Sequence, residues 1–288
     1  MEQLDPEDGL AAWDGLAVWD FTEGSELPGE NLAVERLDVG VRCETWLVWN
    51  PGLWSPAVMK LARPHQLGPS GAVRTLCRET AALAGNLHPG LPRLLSDGTS
   101  DPMPHILIEY IDGPALDEEI EENGAIGAEE AALLGAQLLP ALASLHDRGL
   151  AHLDLKPANV ILRDGHPVLL DFGAARPIGS LQHPGFPVGT DGYIAPEQEA
   201  CEPVSVAMDL YGLGMVLAEA VTGVPRAEGA EIPPSPLAPH IRQLRSEQPA
   251  ERGATGDLLI ALANAAGEPL RPWPAWLDRY AAASQPVP

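Results

Sequence analysis

The sequence predicts an α+β protein, β-rich in its first part and α-helical in the remainder. Three observations predict it. From Leu27 to Gly113 the apolar residues fall in short runs separated by turn residues such as Pro51-Gly52. Beyond Gly113 they recur at helical spacing, above all from Ala128 to His146. Polar clusters at His152–Asn159 and Asp171–Gly173 alternate with the apolar runs Val160–Leu162 and Val168–Leu170. That alternation reads as a small hairpin presenting polar residues at its rim. A chain of 288 residues is long enough for two lobes around a deep cleft or for one large domain.

Residues 1–26 form an acidic N-terminal extension with a near-repeat, Gly9-Leu-Ala-Ala-Trp-Asp14 and Gly15-Leu-Ala-Val-Trp-Asp20. Leu10, Trp13, Leu16 and Ala17 have helical spacing, so the reading taken is an amphipathic extension packed on its own domain. The alternative is a segment docking a partner through Trp13 and Trp19. Residues 27–112 are assigned to the N-lobe and hinge, with Leu37–Val48 between the first two strands, a second strand pair bringing Ala57–Lys60, and an apolar strand from Ile106 that ends in a polar bend at Gly113. Between them, Val73, Leu76, Cys77, Thr80, Ala84 and Leu87 mark one helix, with Glu79 off its apolar stripe. Residues 113–282 form the C-lobe. The acidic run Asp117–Glu122 is read as a solvated face, Ala128–His146 as a long helix, and Met208–Gly214 as the lead into another. Pro233–Pro239 is a loop, and residues 283–288 are a frayed tail.

The chemistry sits in the polar clusters. Asp154 can accept a hydrogen bond from an attacking hydroxyl. Lys156, two residues on, can neutralise charge on a phosphoryl group in flight. Asn159 and Asp171 offer hard oxygens of the kind Mg²⁺ prefers.

His152-Leu-Asp-Leu-Lys-Pro-Ala-Asn159 followed by Asp171-Phe-Gly173 resembles the catalytic and magnesium loops of bacterial, eukaryotic-like serine/threonine protein kinases. Further landmarks extend the resemblance from about Leu27 to Tyr280. It implies a bilobal protein-kinase-like fold binding ATP with Mg²⁺, Mn²⁺ being the alternative ion. Lys60 matches the lysine on the α- and β-phosphates, and Glu79 the helix glutamate that pairs with it. Leu37–Val48 takes the place of the glycine-rich phosphate loop. It keeps one glycine, Gly40, with Asp38 and Cys43 where others are expected. Val58 and Thr45 would cover the adenine ring, Ile108 would be the gatekeeper, and backbone groups from Glu109 to Ile111 would bind the adenine edge. Asn159 and Asp171 would ligate the metal, and Asp154 and Lys156 would act on the acceptor and the transferred group. His152 is read as a buried residue orienting the loop. Gly189-Thr-Asp-Gly-Tyr-Ile-Ala-Pro-Glu197 resembles the end of the activation segment. There Thr190 would bond Asp154 and Lys156, Glu197 would pair with Arg271, and Asp209 would anchor the catalytic loop. Leu153 stands where many kinases carry arginine for a phosphorylated activation loop. Ser180 is the only hydroxyl between Ala174 and Val188, so activity independent of activation-loop phosphorylation is expected.

Composition agrees. Of seventeen basic residues only two are lysines, Lys60 and Lys156, both at positions that need a compact ammonium. That coincidence favours working phosphate chemistry over the rival reading, a pseudokinase serving as a scaffold. A formal charge of −24 argues against nucleic acid or an anionic membrane and would steer basic protein substrates, although a solvated acidic surface is the plainer reading. No apolar run is long enough to span a membrane, and the N-terminus lacks the features of a signal peptide. Three widely spaced cysteines, without paired spacing, point to the cytoplasm.

Overall fold

A computed structural model of the chain describes residues 16–68 and 70–268. The chain divides into two compact units. The first comprises Met1–Leu87, Leu91–Ile111 and Phe172–Ala174, the second His88–Gly90, Asp112–Asp171 and Ala175–Pro288.

The first unit is built on six antiparallel strands: β1 (Glu26–Leu27), β2 (Asn31–Val39), β3 (Cys43–Asn50), β4 (Ser55–Ala62), β5 (Leu94–Gly98) and β6 (His105–Glu109), in the order β1-β2-β3-β4-β6-β5. Strand alternation assigns each residue its face. Trp46 and Val48 of β3 and Ala57, Met59 and Leu61 of β4 are buried together with Leu27, Ala33 and Leu107 in one core. The residues between them point the other way. The register pairs Thr45 with Lys60 and Leu47 with Val58, so these four share one half-buried face. Packed on this sheet is α1 (Gly71–Leu83), capped by the Ser70 side chain.

Two readings change here. The buried stripe of α1 runs through Ala72, Leu76, Glu79 and Leu83, so Glu79 lies on the core face rather than off it, while Cys77 and Leu87 are exposed. A glutamate hides a stripe from any apolar pattern, and only its distant partner explains the burial. Residues 16–21 are also not helical. They run as irregular chain over β2 to β4, where Trp19 stacks on Phe21 and Phe21 meets Trp46 edge-on. Trp19, one of the two tryptophans considered for partner docking, is thus half-buried on its own unit. Trp13 lies outside the described residues.

The second unit is mainly helical: α2 (Leu116–Asn123), α3 (Ala128–His146), α4 (Pro196–Glu199), α5 (Val206–Thr222), α6 (Ala238–Leu244) and α7 (Thr255–Ala265). On α2, Leu116 and Ile120 are buried while the acidic side chains lie at or near the surface. α3 has the bounds expected from its apolar periodicity and packs on α5 and α7. Gly135 makes this approach possible, because a Cβ there would come within 3.0 Å of Leu217 and 3.2 Å of Leu262. Pro233 to Leu237 is loop, after which Pro239 enters the first turn of α6, where a missing N–H costs nothing. Two small antiparallel pairs complete the unit: β7 (Leu150–Ala151) with β10 (Arg176–Pro177), and β8 (Val160–Arg163) with β9 (His166–Leu169).

Glu197, expected to pair with Arg271, bonds Arg252 among the described residues. Arg252, fully buried, donates to both carboxylate oxygens of Glu197, with 2.8 Å at Oε2. Its remaining donor capacity goes to the carbonyls of Ser246 and Ala207, and it covers the Tyr211 ring at 4.9 Å. Arg271 and the tail from Ser284 lie outside the described residues.

Candidate functional site

In the first unit, Lys60 on β4 reaches Glu79 on α1. Its Nζ lies 2.7 Å from Oε1 and 2.9 Å from Oε2, with Glu79 only 1% exposed. Strand alternation turns Lys60 off the core face and helix periodicity turns Glu79 toward the sheet. The ammonium is thereby held by a carboxylate, with part of its surface still open. Val58 lies on the same face, one strand period away. Gly40 occupies the β2–β3 turn, where its N–H donates to the Cys43 carbonyl at 2.9 Å. At the end of β6, Ile108 is buried. The Glu109 N–H is spent on the Arg93 carbonyl at 2.9 Å, and the Glu109 carboxylate pairs with the Arg93 side chain. A ligand at Glu109 would therefore meet its carbonyl, not its N–H. Ile111 follows outside the strand with its side chain buried.

In the second unit, the segment between β7 and β8 gathers the polar residues. The hairpin register sets Val160 against Leu169, and the Leu170 N–H donates to the Asn159 carbonyl at 2.8 Å. Asn159 thus lies opposite Leu170 at the hairpin base, and Asp171 follows Leu170 directly in the chain. The Asp154 carboxylate is held from three sides. The Thr190 hydroxyl donates to Oδ1 at 2.6 Å, Asn159 Nδ2 approaches Oδ2 at 3.2 Å, and Lys156 Nζ lies 3.3 Å from Oδ2. Lys156 also donates to Thr190 at 2.8 Å. The Asn159 amide nitrogen is used again on the Asp154 carbonyl at 2.8 Å, which points its Oδ1 elsewhere. An amide oxygen and a carboxylate are hard donors of the kind Mg²⁺ or Mn²⁺ accepts when phosphates and water complete its shell. Among the described residues no group of three or more His, Cys, Asp and Glu forms an all-protein cage.

His152 is fully buried. Its Nδ1 accepts the Asp154 N–H at 3.2 Å, which assigns the ring proton to Nε2, facing the Leu170 carbonyl at 3.0 Å. It links this loop to the segment that leads from β9 into Asp171. Leu153 has φ +68°, a left-handed conformation that costs a non-glycine residue about 1–3 kcal/mol. The strain is held by burial of its side chain with Ala151, Ala195, Val204 and Met208. Two hydrogen bonds help: Leu153 N–H to Asp209 Oδ1 at 2.7 Å, and Gln198 Nε2 to the Leu153 carbonyl at 2.7 Å.

Asp209, at the start of α5, is the expected anchor. Oδ2 accepts from the His152 N–H and from His146 Nε2, both at 2.8 Å. Burial is the largest influence on its carboxyl and pushes its pKa up. The His146 hydrogen bond and charge, the His152 charge and the Leu153 N–H together outweigh burial and hold it below the usual carboxylate value. A depressed folded-state pKa contributes stability that is complete above the unfolded value and is lost as pH falls through the folded one. Urea midpoints are therefore expected to fall on acidification below about pH 4, the unfolded-chain value for Asp. In Asp209→Asn this part of the acid dependence disappears; an unchanged slope would show that Asp209 is not its source.

His146 and Gln198 hold the loop and were not singled out from the sequence. His146 ends α3 one residue before an acidic turn, and Gln198 directly follows Glu197; neither position carries a local signal for its role.

Residues 56–244 match the protein kinase domain family, more than half of the chain. The chain is 38% identical over 176 residues to serine/threonine-protein kinase PkaA of Streptomyces coelicolor, an alignment covering 58% of this chain and 32% of that protein. It is 35% identical over 199 residues to probable serine/threonine-protein kinase PkwA of Thermomonospora curvata (68% and 26%), and 33% identical over 174 residues to PknB of Mycobacterium leprae (58% and 28%). These matches span a third or less of each relative. The solved PknI kinase domain of Mycobacterium tuberculosis superposes with a TM-score of 0.66 at 25% identity, covering 86% of this chain and 99% of that one. Strand order, paired lysine and glutamate, and catalytic loop all accord with these likenesses, and the chain belongs to the protein kinase domain family.

Proposed function

We propose that the chain transfers the γ-phosphoryl group of ATP to serine or threonine of a protein, without needing phosphorylation of its activation segment. The observation that carries this is the Asp154 carboxylate, fixed at once by Thr190, Lys156 and Asn159. A group so placed is ready to orient an acceptor hydroxyl and take its proton. Lys60, steadied by Glu79, would hold the nucleotide phosphates beside the Gly40 turn. Val58 would lie against the adenine, and main-chain groups of Glu109 and Ile111 would meet its edge. Asn159 and Asp171 would hold Mg²⁺ or Mn²⁺, which when bound offsets charge on the phosphates. Lys156 would neutralise charge on the group in transfer. The pseudokinase reading rests on the single glycine and on Asp38 in the β2–β3 region. The formed Lys60–Glu79 pair and the organised Asp154 favour an enzyme.

Independence from phosphorylation is supported by how the activation segment is tied. Arg176–Pro177 pairs with Leu150–Ala151, Gly179 and Ser180 exchange backbone hydrogen bonds with Val204, and Gln198 bonds both Val188 and Leu153 carbonyls. The Ser180 hydroxyl donates to the Pro177 carbonyl at 2.6 Å, and Leu153 is committed to an apolar cluster. Ser180→Ala is expected to keep kcat within about twofold, since surface substitutions seldom move stability by more than ±0.5 kcal/mol. A loss of activity that Ser180→Asp restores would refute this.

Basic protein substrates suit the charge of −24. No helix among the described residues is long and apolar enough to cross a membrane, and among the described residues Cys43, Cys77 and Cys201 form no disulfide. The test is phosphate incorporation from labelled ATP with Mg²⁺ or Mn²⁺ into a generic basic protein. It should be lost in both Asp154→Asn and Lys60→Ala; incorporation that survives both would refute the assignment.

A further inference from the structure

The N-terminal chain and the phosphate-loop turn meet at one buried side chain. Arg63, just past β4, is 3% exposed. Its NH1 donates to the Gly40 carbonyl at 2.9 Å, its Nε to the Ala17 carbonyl at 3.2 Å and its NH2 to the Leu16 carbonyl at 2.6 Å. Its backbone N–H donates to the Arg42 carbonyl at 2.9 Å. The turn is therefore gripped twice by one residue, and the same guanidinium holds the incoming N-terminal chain.

That chain is itself fastened. The Trp19 N–H donates to Glu44 Oε1 at 2.8 Å, its indole N–H to the Ala62 carbonyl at 2.9 Å, and its carbonyl accepts from Arg36. Glu44 is fully buried and also accepts from the Trp46 indole at 3.2 Å and pairs with Arg36 at 3.2 Å. Every one of these bonds lies on β2, β3 or β4, the strands that carry the turn and Lys60. A guanidinium donates along a planar fork, so it fixes the direction of the carbonyls it binds as well as their distance.

We infer that Arg63 is a positioning residue for the nucleotide phosphates, and that residues 16–19 are the brace through which it acts. The inference rests on the reading of the β2–β3 turn as a phosphate loop. In a loop with several glycines the backbone is free to close over phosphates by its own flexibility. Here one glycine remains, and its neighbourhood is tight, since a Cβ on Gly40 would lie 3.3 Å from the Cys43 carbonyl oxygen. The turn is held in place by a tether instead. Acting on the loop and not on Asp154, the brace governs nucleotide affinity more than acceptor chemistry.

The test uses the full chain with Arg63→Lys, which keeps the charge and loses the fork, and Trp19→Ala, which loosens the brace without touching the turn. KM for ATP, KM for the protein substrate and kcat are measured for each, with hydrogen exchange at the Gly40–Cys43 amides. Lys60→Ala serves as the control for the site itself. The expected result is a rise of about tenfold in KM for ATP in both variants. KM for the protein should stay within twofold, and exchange at the turn should quicken. If Lys60→Ala abolishes nucleotide binding while both variants keep wild-type KM for ATP and wild-type exchange, the brace is refuted and the site stands. If Lys60→Ala leaves nucleotide binding intact, the site reading itself fails. Should Arg63→Lys not fold, Trp19→Ala alone decides: equal KM for ATP and equal exchange refute the proposal.

Discussion

Asp154→Asn is expected to lower kcat by about 10² to 10⁴, the range that a positioned general base supplies. The substitution preserves shape, and an amide oxygen in place of Oδ1 still accepts from Thr190. The other position becomes an NH₂ facing Lys156 Nζ and the Asn159 amide nitrogen, three donors with no acceptor among them. The acceptor hydroxyl then loses both its orienting partner and the destination of its proton. At about 1.36 kcal/mol per tenfold, the barrier rises by roughly 3–5 kcal/mol. Lys60, Glu79 and Asp171 are untouched, so stabilisation of the fold by Mg-ATP should persist in a thermal-shift measurement. A kcat within tenfold of wild type, with an unchanged acceptor, would remove Asp154 from the chemistry.

The second large effect falls on stability. Arg252→Ala leaves the Glu197 carboxylate buried without its cation and removes the guanidinium's hydrogen bonds to the carbonyls of Ser246 and Ala207. Removing one partner of a buried pair typically costs about 3–5 kcal/mol, because the remaining charge keeps its desolvation penalty. A shift of the urea midpoint reads this directly. Arg252→Met combined with Glu197→Leu should recover much of the loss, since then neither charge is buried. A loss below about 1 kcal/mol in Arg252→Ala would mean that water reaches Glu197 and that the pair is weaker than its burial implies. The consequence extends to the catalytic loop. Glu197 and Gln198 are adjacent on α4, and Gln198 holds the carbonyl of the strained Leu153. Loosening α4 therefore removes one restraint on the residue that precedes Asp154.

Much of this was legible in the chain. The hairpin at Val160–Leu169, the helix from Ala128 to His146 and the polar rim from Asp154 to Asp171 follow from short-range pattern, whereas the Thr190 and Asp209 contacts were implied by the resemblance to protein kinases. Periodicity reports which side of an element faces the core, and a run of polar residues in fixed order reports a chemistry. Both signals are local. The misreadings share a cause. Glu79 was placed off the buried stripe because a charge looks solvated until Lys60 is found opposite it. Leu16 and Ala17 have helical spacing but run as irregular chain, and their carbonyls are claimed by Arg63, 47 and 46 positions away. Arg252, the buried partner that Glu197 does meet, was missed because it belongs to no motif at all.

What the sequence by itself determined is the list of reacting groups, their order, and the elements that bring them to the ends of strands and loops. Which charges are buried, and against what, was decided only by the tertiary structure. Burying a charge is unfavourable unless a partner meets it, and that partner comes from a distant part of the chain whose position no local pattern encodes.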